Sequence, residues 1–430
     1  MINIYKISIK IAKYMLLFAL VCRSGYAQTA EQREQIIKNY DVEKLRSLAA
    51  KSSEWYKKNK SKAIEVARSR GLKTSFYNAE GQFVELQGIT EDGILLFYKS
   101  DNVDAAKSTR TNYLNTGGGL GLNLNGQNMT AYIWDEGHVR AAHDEFDDGI
   151  GGSRVSLGDV STEGLSVLNH ATLVMGTICA AGQDPLAKGM APQASAVSYR
   201  WNNDVAEVLY EASKGMLVSN HSYSLKIKDD DGIVNVPDYF FGGYIYKAYE
   251  WDLALYHAPY LLMVDSAGNL GNTSPNGTPL NSSFPQYDKL RGKGVSKNNL
   301  VVANADDAVI DLNGDLISVN INSGSSQGPT DDLRIKPDIA GNGTGVYTTW
   351  GTADNAYATR SGTSLSAPNV AGSLLLLQQH HNNLYGSFMR AATLKGLALH
   401  TADDAGISGP DAIFGWGLLN AKKAAETLTA

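Results

Sequence analysis

The chain is 430 residues long, 43% apolar, 19% charged and acidic overall, with a formal net charge of −6 and two cysteines. That length allows two or three domains with a substantial core, and the acidic excess, which lies after residue 103, argues against nucleic acid as a partner. Cys22 falls in a segment expected to be removed, which leaves Cys179 alone and excludes an internal disulfide framework.

In chain order, Lys6, Lys10 and Lys13 precede the apolar run 14–21, and Gly25 and Ala27 supply small residues after it. Residues 1–27 thus have the layout of a signal peptide cut near Ala27, too short to be a spanning helix. The expectation is a protein secreted to the periplasm or the exterior, with no membrane anchor after cleavage. Residues 31–70 have helical spacing with many Lys and Glu, Trp55 and Tyr56 as anchors, and Gly71 as a stop. Strand-like runs at 73–77, 82–87 and 94–98 are separated by turn sequences at 78–81 and 90–93. Residues 28–105 are therefore expected to form a small α+β prosegment. Residues 106–128, with a glycine-rich joint at 117–122, are expected to be a linker and processing region.

From residue 129 the pattern changes. Short apolar runs at 130–134, 194–199, 217–220, 260–264 and 300–303 alternate with helical stretches at 170–181, 205–215 and 244–256 and one opening near Ser364. This alternation predicts an α/β fold for 129–430, a doubly wound, mostly parallel sheet covered on both faces. Ligand sites in such sheets lie beyond the carboxyl ends of the strands. Asp135 falls there, directly after Thr130-Ala-Tyr-Ile-Trp134, and so does Asn269 in Ser266-Ala-Gly-Asn269. Each also suits a plain turn. His170 opens an apolar helix between them. His138 and His143 do not share a helical face, and no His-Glu-x-x-His occurs, which argues against zinc. Cys179 sits in an apolar helical stretch and reads as a buried, inert thiol.

No charged residue occurs between Ser361 and Met389, so the helix opening at Gly362-Thr-Ser364 is expected to be buried on most sides, with Pro368 in about its first turn. A serine at that end faces unsatisfied backbone N–H groups and the positive end of the helix dipole, a setting that can hold an oxyanion.

The string Gly362-Thr-Ser-Leu-Ser-Ala-Pro-Asn-Val-Ala-Gly372 resembles the nucleophile segment of the subtilisin-like serine proteases, the subtilases, with Ser364 in the nucleophile's place. Asp135-Glu-Gly137, His143-Asp-Glu-Phe146, His170-Ala-Thr-Leu-Val-Met-Gly176, Gly189-Met-Ala-Pro-Gln-Ala194 and Ala267-Gly-Asn269 resemble further segments of that family. So do Ser326-Gln-Gly-Pro329 with Arg334-Ile-Lys-Pro-Asp338, and Gly415-Trp-Gly-Leu-Leu-Asn-Ala421, and all stand in the family's order. The resemblance covers nearly all of 129–425. It implies that Ser364 is the nucleophile, His170 its base, Asp135 the carboxylate that orients His170, and Asn269 an oxyanion donor. It also implies that Ser222, Tyr223, Ser224, Ser266, Ala267 and Gly268 flank the primary specificity pocket, and that the partners are polypeptide substrates and the chain's own prosegment as an intramolecular inhibitor. No cofactor is required. Calcium is common in the family and is left as a structural ion without assigned ligands.

Some residues depart from the family pattern. Glu136, Ala171, Leu173, Met175 and Leu365 are unusual choices, and Ser224 stands at a family glycine, where it is expected to need a backbone suited to Gly. The insertion 226–241 has no counterpart. Gly324-Ser-Ser-Gln-Gly328 matches the nucleophile-elbow pattern of α/β-hydrolases, but Pro329 and polar residues follow where a helix is required. Asp311-Leu-Asn-Gly-Asp315 is read as a hairpin turn in preference to a calcium loop. The alternatives to an endopeptidase are an inactive peptide-binding pseudoprotease and an esterase or peptide ligase on the same fold.

Overall fold

The computed structural model describes residue 58 and residues 60–77, 83–89, 95–99, 102–224, 237–272, 283–284 and 287–430. The leader, the helical reading of 31–57, both prosegment turns and most of the 226–241 insertion lie outside those residues. In the N-terminal region, 60–69 is helical, and β1 (Ser75–Tyr77), β2 (Phe83–Ile89) and β3 (Leu95–Lys99) form an antiparallel sheet in that order. Ala63, Ala67, Leu86 and Ile89 make its small core.

The main body runs through α1 (Asn102–Ser108), β4 (Thr130–Asp135), β5 (Val155–Leu157), α2 (Asn169–Cys179), β6 (Ser195–Arg200), α3 (Asp204–Ala212) and β7 (Val218–His221). It continues with α4 (Tyr246–Tyr256), β8 (Leu262–Ser266), β9 (Leu300–Ala305), the hairpin β10 (Val309–Ile310) and β11 (Leu316–Ser318), and β12 (Ile339–Asn342). A second hairpin, β13 (Val346–Thr349) and β14 (Tyr357–Arg360), leads to α5 (Thr363–Tyr385), α6 (Ala391–Thr401) and α7 (Ala421–Thr429). Seven strands make one sheet in the order β12-β9-β8-β7-β4-β6-β5, and every neighbouring pair is parallel. The order reverses beside β4, which has β6 on one side and β7 on the other. That is where a doubly wound sheet opens a crevice at its carboxyl edge.

Period-two alternation divides the strands between two cores. Ile133, Val218, Leu262 and Val264 face α2 and α5, together with Val174, Val370 and Leu374. Trp134, Tyr199 and Met263 face α3 and α4, with Val208, Trp251 and Leu255. Helix α5 is enclosed as its lack of charge predicts: the four consecutive leucines 374–377 are at most 1% exposed. Each is worth about 1.5–3 kcal/mol relative to exposure. The Cys179 thiol is free, buried, and pushed up to about 11 by that burial, so it stays protonated and inert.

Two expectations change. Residues 106–128 are not a loose joint. Ala105, Leu114 and Leu124 belong to the main core, Thr111 Oγ1 and Ser373 Oγ are 2.6 Å apart, and Asn369 donates to the Ala105 carbonyl at 3.2 Å. The buried Arg110 pairs with Asp403, and Ala421 N–H donates to the Thr109 carbonyl at 2.9 Å. The small polar face of α5 therefore holds the chain at 105–111, just ahead of the glycine-rich stretch, as part of the body. The second change concerns Pro368, which is the sixth residue of α5 and so lies beyond its first turn. The Asp311–Asp315 segment is a hairpin turn as expected, its Asp311 carboxylate accepting the N–H groups of Asn313 and Asp315, both at 2.8 Å. Among the described residues no cluster of three or more His, Cys, Asp or Glu side chains is placed to hold a metal ion, and no helix is long and apolar enough to cross a membrane.

Candidate active site

The sharp exit from β4 sets the first pair of groups. A Cβ on Gly137 would stand 2.7 Å from the Ser166 carbonyl, so only glycine lets segment 166–168 lie against the end of the strand. His138 N–H donates to Ser166 O at 2.6 Å, and Leu168 N–H donates to His138 O at 3.1 Å. These bonds pin the start of α2 beside Asp135, and His170 Nδ1 lies 2.7 Å from Asp135 Oδ1. Asp135 is fully buried. Its Oδ1 also accepts the Glu136 N–H at 2.7 Å, while its Oδ2 has no hydrogen-bond partner among the described residues. A carboxylate acceptor at Nδ1 keeps the ring proton there and leaves Nε2 as the basic nitrogen. Burial, the largest single influence, pulls the imidazole pKa down. The charge and hydrogen bond of Asp135, with Glu136 adding to them, outweigh it and leave His170 above its ordinary value.

Helices α2 and α5 meet where a Cβ on Gly372 would stand 3.5 Å from Ile178 Cα. Both run away from the carboxyl edge of the sheet. Stepping back along each by roughly 12 Å, at about 1.5 Å per residue, reaches His170 on one and Ser364 on the other. The Ser364 hydroxyl donates to the Ser222 carbonyl at 3.3 Å, and the Ser222 hydroxyl donates to the Ser364 carbonyl at 2.9 Å. Pro368 explains the second bond. It has no N–H to offer the carbonyl four residues earlier, which is that of Ser364, and Ser222 supplies the missing donor. Ser364 Oγ is thus turned to Ser222 and not to His170, whose Nε2 has no hydrogen-bond partner among the described residues.

Asn269 is oriented from the same helix start. Its Oδ1 accepts Thr363 N–H at 3.0 Å and the Thr363 hydroxyl at 3.1 Å, which assigns the amide nitrogen to the other side. The loop before it is held by segment 324–326. Ser326 N–H donates to Gly268 O at 2.8 Å, and Leu270 N–H donates to Ser326 Oγ at 3.0 Å. Ser326 of the apparent nucleophile elbow therefore braces the Asn269 loop, with no helix after it. The Gly268 N–H donates to Thr363 Oγ1 at 3.1 Å, so the N–H groups of Gly268, Leu270 and Thr363 are all spent on holding this corner, and the Asn269 Nδ2 amide is the side-chain donor it presents at the start of α5, suited to a developing oxyanion.

The other expected site residues divide. Ser222, Ser266 and Ala267 are buried at the strand ends beside Ser364 and Asn269. Tyr223 turns its ring the opposite way, into the α3 and α4 layer. Its hydroxyl donates to Asp204 at 2.8 Å and lies 3.1 Å from His221 Nδ1, so only its backbone is left to line a pocket. Ser224 takes no left-handed backbone, so the expected need for a conformation suited to Gly is not borne out. Its hydroxyl instead receives Arg291 Nη2 at 2.5 Å. Sequence reasoning missed Thr363 as the group that orients Asn269, and missed Arg291. Thr363 stands inside the quoted Gly362-Thr-Ser364 but acts on a residue 94 positions away, and Arg291 stands in no pattern that marks it.

The chain is similar to known proteins of one family. A model of the subtilase family matches residues 142–417, a span that contains His170, Asn269 and Ser364 and begins after Asp135. The PIII-type proteinase of Lactococcus lactis subsp. cremoris (strain SK11) is 33% identical over 141 residues, 30% of this chain and 7% of that protein. The C5a peptidase of Streptococcus pyogenes is 49% identical over 61 residues, 14% of this chain and 5% of that protein. The matched segments thus span less than a tenth of those relatives. Among solved structures, the Clostridium perfringens CspB protease aligns with a TM-score of 0.57 at 15% identity, covering 75% of this chain and 97% of that one. A lanthipeptide protease aligns with a TM-score of 0.53 at 18% identity, covering 75% and 93%. These two share the fold.

Proposed function

This chain belongs to the subtilase family, and from that premise we propose that it is a serine endopeptidase that cuts polypeptides through an acyl-enzyme on Ser364. The observation that carries this reading is the 2.7 Å bond between His170 Nδ1 and Asp135 Oδ1 beside the start of α5. The cycle begins with Ser364 turning from the Ser222 carbonyl to His170 Nε2, a bond of the kind that forms or tightens only when substrate is bound. Nε2 takes the hydroxyl proton as Oγ attacks the peptide carbonyl carbon, and Asp135 stabilises the resulting imidazolium. Asn269 Nδ2 and the Ser364 backbone N–H hold the oxyanion. The imidazolium returns its proton to the leaving amine, and a water molecule repeats the sequence to release the acid. No cofactor enters.

The protein is exported through residues 1–27 and made as a precursor inhibited by the segment ahead of α1. The maturation cut falls before Asn102. A cut within 106–128 would strip Ala105 and, further along, Leu114 and Leu124 from the core.

The test offers the purified protein casein, a small ester, and peptides with a free amine acceptor. Casein cleavage that disappears in Ser364→Ala is the expected result. Ester turnover alone would make it an esterase, ligated products a ligase, and no turnover of any substrate a peptide-binding pseudoprotease.

A further inference from the structure

The residue whose carbonyl is attacked must bring that carbon to Ser364 and its oxygen to Asn269. Its side chain then enters between the two segments that leave the sheet beside those groups. Strands β7 and β8 pair as far as His221 and Asp265 and then part, one continuing as 222–224 and the other as 266–268. Segment 222–224 is tied to the nucleophile by the two bonds between Ser222 and Ser364. Segment 266–268 leads directly into Asn269.

Both segments are anchored on one short turn, Gly292–Val295, and by different forces. Ala267 packs with Leu290 and Val295 in a small apolar core that also holds Ala248 of α4 and Val301 of β9. The other segment is held by charge. Lys293 Nζ donates to the Tyr223 carbonyl and stands 4.1 Å from the centre of the Tyr223 ring. The same ammonium pairs with Asp265 at 2.7 Å, at the point where the strands part, and both side chains are buried. The backbone beneath Lys293 is itself fixed, since its carbonyl accepts the Ser296 N–H at 3.0 Å and Asn299 Nδ2 at 2.8 Å. Tyr223 is held from its far end as well, through the bond of its hydroxyl to Asp204. Consecutive carbonyls of this segment are thus taken by different groups, Ser222 by Ser364 and Tyr223 by Lys293. Burial pushes the Asp265 carboxyl above its ordinary value, and the Lys293 charge is the strongest influence against that.

We propose that Lys293 is a positioning residue that sets the separation of segments 222–224 and 266–268, and so the size of side chain accepted on the residue that donates the scissile carbonyl. The inference rests on the endopeptidase reading. An ammonium is a compact charge with three donors, so one group can hold a carbonyl on one segment and a carboxylate at the root of the other. Without it the Tyr223 carbonyl loses its partner, and 222–224 is free to shift relative to 266–268, which its apolar packing keeps in place. Lys293 acts through Tyr223 and Asp265 and not on the reacting atoms. The fit of a side chain between the two segments then changes, and one methylene there is worth roughly 10–200-fold in kcat/KM.

The experiment measures kcat and KM of the mature protein on peptides that differ only at that residue, Ala, Val, Leu, Phe or Trp. The melting temperature and the rate at which a small fluorophosphonate labels Ser364 are measured beside them. The wild type is expected to favour the best size over the poorest by roughly 100-fold. Lys293→Met should shrink that ratio by about 10-fold or more, chiefly through KM for the favoured peptide. Labelling should stay within a few-fold, because the small probe does not reach between the two segments. Lys293→Arg, which keeps the charge and the donors, should hold most of the wild-type ratio. If Lys293→Met misfolds because Asp265 is left buried without its cation, Lys293→Met combined with Asp265→Asn removes both charges and serves in its place. An unchanged size preference in these variants would overturn this inference alone, as would a loss that is equal for every peptide and follows the melting temperature. So would a wild type that cleaves all five peptides equally well. A wild-type protein that neither cleaves nor labels would overturn the endopeptidase reading and this inference with it.

Discussion

Two histidine–aspartate pairs lie within one turn of chain at the end of β4, and they have the same length. His170 Nδ1 is 2.7 Å from Asp135, and His138 Nε2 is 2.7 Å from Asp159. The His138 side chain is 0% exposed and every polar atom is engaged: Nδ1 accepts the Ser166 N–H at 3.1 Å, and the second Asp159 oxygen accepts the Arg200 N–H at 3.1 Å. The His170 side chain is 34% exposed, and among the described residues only its Nδ1 has a partner. The His138 pair closes a network, whereas the His170 pair leaves Nε2 without a hydrogen-bond partner among the described residues. A bonded histidine becomes a catalyst through the valence it keeps, and the bond by itself says little.

That contrast can be broken from either side. His170→Ala should lower kcat by roughly 10⁴-fold or more with the melting temperature nearly unchanged, since the base is lost and no buried network is cut. His138→Ala should do the reverse. It leaves Asp159 and the Ser166 N–H buried without their partner, which costs about 3 kcal/mol in denaturant unfolding, while turnover per folded molecule is retained. Unfolding is best compared in a Ser364→Ala background, where self-digestion is absent. Asn269→Ala should keep folding and lose about 10²–10³ in kcat, and unchanged turnover would remove it from the oxyanion role.

The smallest effect sharpens the comparison most finely. His170 works as a base only when neutral, and the Asp135 and Glu136 charges raise its pKa, so they move the acid limb of the kcat/KM profile upward. Glu136→Gln removes one of those charges, so the acid limb should move to lower pH. A limb that stays in place would show that Glu136 does not act on the imidazole.

Much of this was legible in the sequence because it depends on local pattern. Asp135 ends an apolar run, His170 and Ser364 open helices, and the uncharged stretch after Ser364 could only be a buried helix. The strands that were missed are short and owe their form to neighbours. Val155–Leu157 is a three-residue edge, and Ile339-Ala-Gly-Asn342 becomes a strand by pairing with β9. The glycine-rich 117–122 read as a joint because composition cannot reveal that Asn369 and Ser373 hold the chain around it. Arg291 and the closed His138 pair were invisible for the same reason: their partners are 67 and 21 residues away.

The most direct measurement is intact-mass and peptide mapping of the protein after reaction with a fluorophosphonate probe, for the wild type and His170→Ala. The account predicts one adduct per chain, on Ser364, formed rapidly in the wild type and lost in His170→Ala. No adduct on folded wild-type protein, or one carried instead by a serine such as Ser326, would contradict it.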